Sequence, residues 1–287
     1  MSYNNIENSV DLGAPVTLFE FIYGQTSGDA YRYSTTLEEV TLAGRAWKPH
    51  NLRHSDIVST GKLDKAELTV TGRPDIEVAA LFLAAPPSQP VQLNIWRGHS
   101  LTAAEGWDEF VRVWVGRVLT CRWVADTANV EFKCEPVATS AKRVGLRRYY
   151  QYGCPHVLYG RACGVSELAN TSGVQVTYVT SQVTIYVVHT GQGPALDPAQ
   201  LTGGIFTMKL PDGREARRTI VAAAVDPGMG VYLRLMSALP EVTAGVVGSV
   251  ARGCLHTFEA CKTFNNTSNY GGCPNIPTKD PFRSNTF

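Results

Sequence analysis

The stretch YGCPHVLYGRACGV, Tyr152–Val165, carries two cysteines separated by eight residues. A second stretch, RGCLHTFEAC at Arg252–Cys261, carries two more cysteines, separated by six residues. Both stretches contain the same short pattern, a glycine and a cysteine followed by any residue and a histidine. We call them the first hook and the second hook. Two matching patterns so far apart in the chain have three possible explanations: disulfides, a metal site or coincidence.

The cysteine count and the N-terminal sequence bear on the disulfide alternative. Seven cysteines, an odd number, fit a disulfide framework poorly. The first ten residues, MSYNNIENSV, lack the basic and apolar parts of a signal peptide, and no apolar run approaches the ~18 residues of a membrane span. We therefore expect a chain that folds in the cytoplasm with reduced thiols and has no membrane span, which disfavours disulfides.

Length and charge limit the classes of function. A chain of 287 residues is long enough for two or three domains with cores of their own. The net charge of +1 provides no global basic field, so we expect no sequence-specific binding to nucleic acid. Charged residues make up 18% of the chain, below the typical quarter, which indicates a surface partly covered by partner proteins.

The pattern along the chain is mainly β. In VQLNIW the residues Val91, Leu93 and Ile95 alternate with polar ones, the period of two that predicts a half-buried strand. One helix is predicted over 75–85, with Pro74 before it and two prolines after it. Further strand-like runs are VTLFEFIY at 16–23, AELTVTG at 66–72, VRVWVGRVLTCRWV at 111–124 and NVEFKCEP at 129–136.

Two of these runs, VLTCRWV and NVEFKCEP, flank the short segment ADTA and predict a hairpin. The hairpin would place Cys121 and Cys134 nearly opposite each other. We interpret both as buried, reduced core thiols and not as a site.

A second β-rich block separates the hooks. VQVTYVTSQVTIYVV at 174–188 is dense in β-branched and aromatic residues, a turn is predicted at Pro211-Asp212-Gly213, and VYLRLMSALP reads as a further strand. A compact domain inserted in a loop brings its own ends together, so the hooks are expected to be neighbours in space. The predicted division is a β-rich domain at 1–150, half of a cysteine region at 151–172, an inserted β domain at 173–250 and the other half at 251–287.

The chemistry of the hooks suits zinc or an iron–sulfur cluster, since both bind thiolates. We expect Cys154 and Cys254 at helix N-termini, where the dipole favours thiolate, and Cys254 and Cys261 two turns apart on one helix face. Structural zinc sites usually have two to four residues between paired ligands. The gaps of eight and six residues therefore favour a 4Fe–4S cluster, with zinc as the alternative. His156 and His256 are candidates to replace a cysteine or to donate to a sulfur.

Basic residues and tyrosines precede the first hook, in the segment AKRVGLRRYYQYGC. Cations near a cluster with four thiolates would stabilise its negative charge. A solvated basic strip is an equally good interpretation, and single-stranded nucleic acid is a weaker one. The basic residues are Lys142, Arg143, Arg147 and Arg148.

The runs CPHVLYGRACGV and GCLHTFEACKTFNNTSNYGGCPNIPTKDPF resemble the C-terminal region of tailed-phage baseplate hub proteins. These include the minor tail protein L type and the iron–sulfur hub protein of gene transfer agents. The likeness continues through LRRYYQ, LFLAAPPSQPVQLNIWRGH and VTLFEFIYG, so it covers nearly the whole chain. Cys273, in NYGGCPNIP, departs from the family pattern and makes a fifth nearby thiol.

The resemblance implies a mainly β fold with β-barrel-like hub domains and a small C-terminal cysteine-rich iron–sulfur region containing short helices. It implies a 4Fe–4S cluster held by Cys154, Cys163, Cys254 and Cys261. It further implies a homotrimer at the tail tip of a virion, assembled in the host cytoplasm. The implied partners are the distal tail protein, the central fibre or tip attachment protein, and the tape measure protein.

Three classes of function compete: a tail-tip hub, an enzyme, and a zinc-stabilised binding module. For an enzyme the sequence offers only His50, His54 and Asp56 in KPHNLRHSD, which we interpret as a polar surface loop. No phosphate-binding loop or serine nucleophile elbow is present in the sequence. We therefore predict a non-enzymatic structural virion protein, with an iron–sulfur redox protein or a zinc-stabilised module as the alternatives.

Overall fold

The computed structural model describes residues 6–8, 14–24, 30–42, 44–57, 67–83, 85–99, 110–142, 149–210 and 213–276. The chain divides into two compact units, Met1–Arg143 and Val144–Phe287. Strands dominate the described part of both units, and the helices are short. The predicted fold class, mainly β with few short helices, is confirmed.

The first unit contains a nine-stranded sheet in the order β3-β4-β2-β1-β7-β8-β9-β6-β5. The pair β2–β4 is parallel, and the other neighbours are antiparallel. The strands are β1 Pro15–Ile22, β2 Ala30–Ser34, β3 Val40–Leu42, β4 Arg45–Pro49, β5 Arg53–His54, β6 Leu68–Gly72, β7 Val91–His99, β8 Val111–Val124 and β9 Asn129–Pro136.

The core of this unit follows from the period of two. In β7 the alternating residues Val91, Leu93 and Ile95 are fully buried, as the sequence predicts. They join a cluster with Phe21 of β1 and Phe132 of β9, whose rings lie 5.5 Å apart. Successive strand residues point to opposite faces, so one face of each strand supplies the core.

The hairpin between β8 and β9 forms as predicted, with a turn at Ala125–Thr127 and Ala128 in the left-handed region at φ 48°. Cys121 pairs with Phe132, however, and Cys134 pairs with Val118. The turn pairs Val124 with Asn129, and the register that follows from this pair makes the two cysteines diagonal neighbours and not opposite each other.

Both hairpin cysteines are free thiols in an apolar setting. Cys134 is buried and its Sγ donates to the carbonyl of Phe132, while Cys121 is half-buried. Burial raises the pKa of Cys134 to about 12 and that of Cys121 to about 11. Both therefore stay protonated at neutral pH, as expected of core thiols.

The helix predicted over 75–85 is much shorter in the structure. Helix α1 covers only Glu77–Ala80, and i→i+3 turns continue it to Leu83. Ile76 at the N-cap offers no side-chain oxygen to the first amides, and Leu83 is largely exposed. Only Val78 and Ala79 are buried within α1, so packing stabilises a single turn.

The second unit contains a closed antiparallel barrel of six strands in the order β10-β11-β14-β13-β12-β15. The pairing of β10 with β15 completes the closure. The barrel interior is apolar, with Phe206, Ile220 and Leu233 fully buried. The strands are β10 Thr171–Ser181, β11 Thr184–His189, β12 Ile205–Lys209, β13 Glu215–Asp226, β14 Gly230–Leu235 and β15 Val247–Ala251.

The β-rich run at 174–188 spans two strands, since Ser181 pairs with Thr184 across a tight turn between β10 and β11. The predicted turn at 211–213 joins β12 to β13. The pairing of these two strands begins at Lys209 and Glu215. Its residues Pro211 and Asp212 lie outside the described residues. A helix with the length and hydropathy to cross a membrane is absent from the described part of the chain.

Candidate metal centre

Barrel closure brings the two hooks together. Thr171, the first residue of β10, pairs with Ala251, the last residue of β15. One position outward, the amide of Arg252 donates to the carbonyl of Asn170 (3.1 Å). The two strands thus bring the residues that follow the first hook and the residue that begins the second hook to the same end of one ladder.

The first hook consists of turns. The amide of Gly160 donates to Val157 O (3.0 Å) and that of Gly164 to Gly160 O (2.9 Å). Tyr159 and Gly164 both have positive φ, which a helix does not accommodate. The predicted helix start at Cys154 is therefore wrong, and the local reason is the left-handed backbone of Tyr159, which interrupts a helical turn from Cys154 to Gly160.

The second hook contains a helix, but the helix begins after the leading cysteine. Helix α2 covers Phe258–Thr263, and the side chain of its N-cap, Thr257, accepts from the amide of Ala260 (3.1 Å). Cys254 lies outside α2, so it does not share a helix face with Cys261. A hydroxyl at the N-cap satisfies an amide that otherwise has no partner, which explains why the helix begins there.

The four cysteines of the hooks line one small cavity. No carboxylate is among its lining residues in the described part of the chain. The lining residues are Cys154, His156, Leu158, Cys163, Val165, Cys254, His256, Thr257, Cys261, Phe264, Asn266 and Asn269.

Polar groups surround the sulfurs. The amide of Gly271 lies 3.4 Å from the Sγ of Cys154. The amide of His256 lies 3.3 Å from the Sγ of Cys254. The Nδ2 of Asn266 lies 3.8 Å from the Sγ of Cys163. Three of the four sulfurs thus face N–H donors, which stabilise a thiolate.

The thiols influence one another electrostatically. Burial raises the pKa of Cys254, the bond from the His256 amide lowers it, and Cys163 and Cys154 raise it further. Burial also raises the pKa of Cys261, and the other three cysteines add to the effect. The expected lowering of the pKa of Cys254 by a helix dipole is thus wrong, because this residue is not at a helix terminus. A group of mutually repelling thiolates is stabilised by bound cationic iron or zinc.

The donor set matches the chemistry of a thiolate-bound metal group. Four thiols and no carboxylate suit a 4Fe–4S cluster or zinc. Among the described residues, however, no three His, Cys, Asp or Glu side chains form a group that would hold a single metal ion. The thiols are placed around a shared cavity, and their role as ligands stays a prediction.

Cys273 lies outside the residues that line the cavity. Its amide donates to the carbonyl of Gln151 (2.8 Å), so its backbone secures the segment that precedes the first hook.

The residues that sequence reasoning missed lie in the segment after the second hook. Asn266, Asn269 and Gly271 contact the first hook or its sulfurs, and the hydroxyl of Tyr270 donates to Tyr152 O (2.6 Å). A Cβ on Gly271 would overlap the ring of His156. The Gly271-Gly272 pair was the available signal, because adjacent glycines permit this kind of close approach.

The other candidates from the sequence lie elsewhere. Residues 143–148 of the basic strip and the side chain of Lys142 lie outside the described residues. His50 has a largely buried ring whose Nε2 lies 3.2 Å from the carboxylate of Asp75. His54 bonds through Nδ1 to Ser55 O (2.7 Å) and lines a separate cavity with Arg53. His50 and His54 thus have different partners and do not form one site.

Comparison with known proteins shows that this chain is similar to phage and gene transfer agent proteins. Residues 201–280 match the model of a family described as phage conserved hypothetical protein BR0599, over less than a third of the chain. No curated protein matches this chain. The chain is similar to one in a solved structure titled "Virion of native gene transfer agent (GTA) particle".

That similarity covers 99% of this chain and 94% of the other, with a TM-score of 0.76 and 14% sequence identity. The two chains share a fold. At this identity the likeness concerns the fold alone. Together with the phage family match, it confirms the resemblance to phage and gene transfer agent proteins that the sequence predicts.

Proposed function

We propose that this protein is a structural component of a phage-type virion, and that it acts as the baseplate hub at the tail tip. The likeness to a chain of a gene transfer agent virion over nearly the full length supports the virion role. The match of residues 201–280 to a phage family points the same way. In this role three copies form a ring between the tail tube and the central fibre, in contact with the distal tail protein, the tape measure protein and the fibre or tip attachment protein. The role is non-enzymatic.

We also propose that Cys154, Cys163, Cys254 and Cys261 hold a 4Fe–4S cluster that joins the hooks. The observation that carries this proposal is four thiols on one cavity in a region without a core. In the described stretches 149–170 and 252–276 not one residue is buried. Polypeptide that cannot bury apolar surface needs a cross-link or metal to stay ordered.

The bound cluster would supply iron–thiolate bonds between segments that are distant in sequence. Because only the folded chain gathers the four thiols, binding free energy stabilises the fold. Cys154 and Cys163 contribute from the first hook, and Cys254 and Cys261 from the second. The role assigned to the cluster is structural.

Metal analysis of anaerobically purified protein tests the cofactor. We expect a brown protein with about four iron and four acid-labile sulfide per chain. Replacing any one of the four cavity cysteines by serine should abolish the colour. Cys121→Ser and Cys134→Ser are the matched controls and should keep it, because both lie in the first unit.

Two results would change the assignment. Stoichiometric zinc without sulfide in anaerobic material would replace the cluster by the zinc alternative. Loss of colour in Cys273→Ser, with retention in one of the four cavity variants, would show that a different set of cysteines binds the cluster.

Electron microscopy of intact tails tests the hub role independently of the metal. We expect three coaxial copies between the tube and the fibre. In the absence of the protein, we expect tail assembly to be blocked. Full-length functional tails formed without it would end the hub proposal.

A further inference from the structure

The four cavity cysteines are connected in two couples, and each couple contains one cysteine from each hook. One connecting residue lies within the second hook and the other lies after it, and each contacts cysteines of both hooks. His256 contacts Cys154 and Cys254, and Asn266 contacts Cys163 and Cys261.

His256 joins Cys154 to Cys254 through three bonds. Its carbonyl accepts from the amide of Cys154 (2.8 Å), and its Nδ1 lies 3.1 Å from the carbonyl of Cys154. A carbonyl only accepts, so Nδ1 carries the proton in this bond. Its amide points to the Sγ of Cys254. His256 has φ 59°, an uncommon backbone conformation for a residue other than glycine, which turns the chain toward the first hook.

Asn266 joins Cys163 to Cys261. Its Nδ2 donates to the carbonyl of Cys163 (2.7 Å) and reaches the sulfur of the same residue. Its amide donates to Cys261 O (3.2 Å), a bond that remains when Cys261 binds metal as a thiolate. Its carbonyl accepts from the Sγ of Cys261 (3.1 Å) only while that thiol is protonated. Its Oδ1 accepts from the Nδ2 of Asn269 (2.8 Å), which holds the side-chain amide in this orientation.

We propose that His256 and Asn266 are positioning residues for the cysteine site, and that Asn266 also tunes it. This inference rests on the proposed function, because it assigns the thiols to a bound cluster. Within the frame that the barrel closure provides, the two residues fasten one cysteine of each hook to one of the other. The site is therefore organised across the hooks and not within each cysteine pair.

Asn266 has the more specific role. Among the N–H groups that face the sulfurs in the described residues, those of His256 and Gly271 belong to the backbone, and only Asn266 uses its side chain. Hydrogen bonds to the sulfurs raise the reduction potential of an iron–sulfur cluster, because they stabilise the more negative reduced form. Substitution can remove this donor, whereas it leaves the two backbone donors in place.

The test compares Asn266→Ala and Asn266→Asp with the wild type and with Asn275→Ala. Asn275 is an exposed asparagine of the same segment that does not line the cavity, so it serves as the matched control. Iron and sulfide per chain, the rate of iron loss to a chelator and the midpoint potential are measured on anaerobic full-length protein. Circular dichroism reports whether the barrel stays folded.

For Asn266→Ala we expect fewer irons per chain, faster iron loss and a lower midpoint potential. Asn266→Asp keeps the size and an acceptor for Asn269 but replaces the donor by a carboxylate, so the potential should fall further. Asn275→Ala should match the wild type. His256→Gly removes the ring without backbone strain and should speed iron loss less than Asn266→Ala, because its backbone bonds remain.

The outcomes separate this inference from the proposed function. Wild-type values of iron loss and potential in both Asn266 variants would overturn the inference while the cluster stands. Faster iron loss with an unchanged potential would retain the positioning role and overturn the tuning role. A wild type without iron and sulfide would overturn the cluster itself. If Asn266→Ala fails to fold, Asn266→Ser, which retains a shorter donor, takes its place with the same expected directions.

Discussion

The barrel and the two hooks belong to the same compact unit but are stabilised by different means. The barrel residues Val174, Ile185, Phe206, Ile220 and Leu233 are fully buried and form one apolar cluster. The described residues of the hooks and their flanks, 149–170 and 252–276, include no buried residue. What orders them is a set of directional hydrogen bonds and four thiols around a cavity.

The contrast shows that apolar burial stabilises the barrel, whereas hydrogen bonds order the hooks. Burial is worth about 25 cal/mol per Å² of apolar surface, so the continuous apolar core is the main source of stability in the barrel. A net hydrogen bond contributes only about 1 kcal/mol and depends on geometry. The barrel therefore positions the hooks, and the proposed cluster would cross-link them. The following changes test this dependence, in order of expected effect.

The largest effect is expected from Phe206→Ala in the barrel core. Phe206 is fully buried, so its truncation should lower the free energy of unfolding by about 3–5 kcal/mol. The cysteine site should be lost in the same transition, because the β10–β15 pairing brings the hooks together. Denaturant titration followed by circular dichroism and cluster absorbance measures both. Leu255→Ala, at an exposed hook residue, is the control and should change stability by less than about 0.5 kcal/mol.

If the cluster absorbance survives the unfolding of the barrel in Phe206→Ala, the hooks do not depend on the barrel. The division of roles described above would then be wrong.

A smaller effect is expected at the junction between the two regions. Gly253 follows β15, and a Cβ there would overlap the carbonyl oxygen of Thr202 and the amide of Gly204. Both are backbone atoms, so Gly253→Ala should destabilise by about 1–3 kcal/mol. Thermal unfolding measures the change. Gly228→Ala, where the nearest atom is the Asp226 carboxylate at 3.6 Å, should be nearly neutral. Equal stability of the two variants would show that the junction is not tightly packed.

The smallest effect concerns a cysteine that sits in a core. Burial raises the pKa of Cys134 from 9.0 to about 12, so the folded state keeps a proton that the unfolded state releases. The contribution of the raised pKa of Cys134 to the free energy of unfolding is fully present below pH 9 and is lost as the pH rises from about 9 to 12. At pH 9.5 the wild type should have lost on the order of 1 kcal/mol more of its free energy of unfolding, relative to pH 7, than Cys134→Ala.

Denaturant titrations at the two pH values give that difference. Identical pH dependence in the two proteins would mean that Cys134 ionises as easily in the folded chain as in the unfolded chain.

Much of the fold could be predicted because strand patterns are local. Val91, Leu93 and Ile95 alternate with polar residues over five positions, and that alternation alone indicates a buried face. The short α1 was less predictable, since its length depends on which of its residues the sheet covers. The helix start at Thr257 had a local signal, a threonine followed by Phe258 and Glu259, which the spacing argument for Cys254 and Cys261 overlooked.

Three properties can be read from the residues alone: the mainly β class, the spacing of the four cavity cysteines and the resemblance to phage hub proteins. Each depends on residues a few positions apart or on a recognisable run. Which cysteines are coupled, and that His256 and Asn266 couple them, is visible only in the folded chain. The physical reason is that these bonds join residues about a hundred positions apart. Their geometry follows from the closure of the barrel between Thr171 and Ala251, which no local pattern encodes.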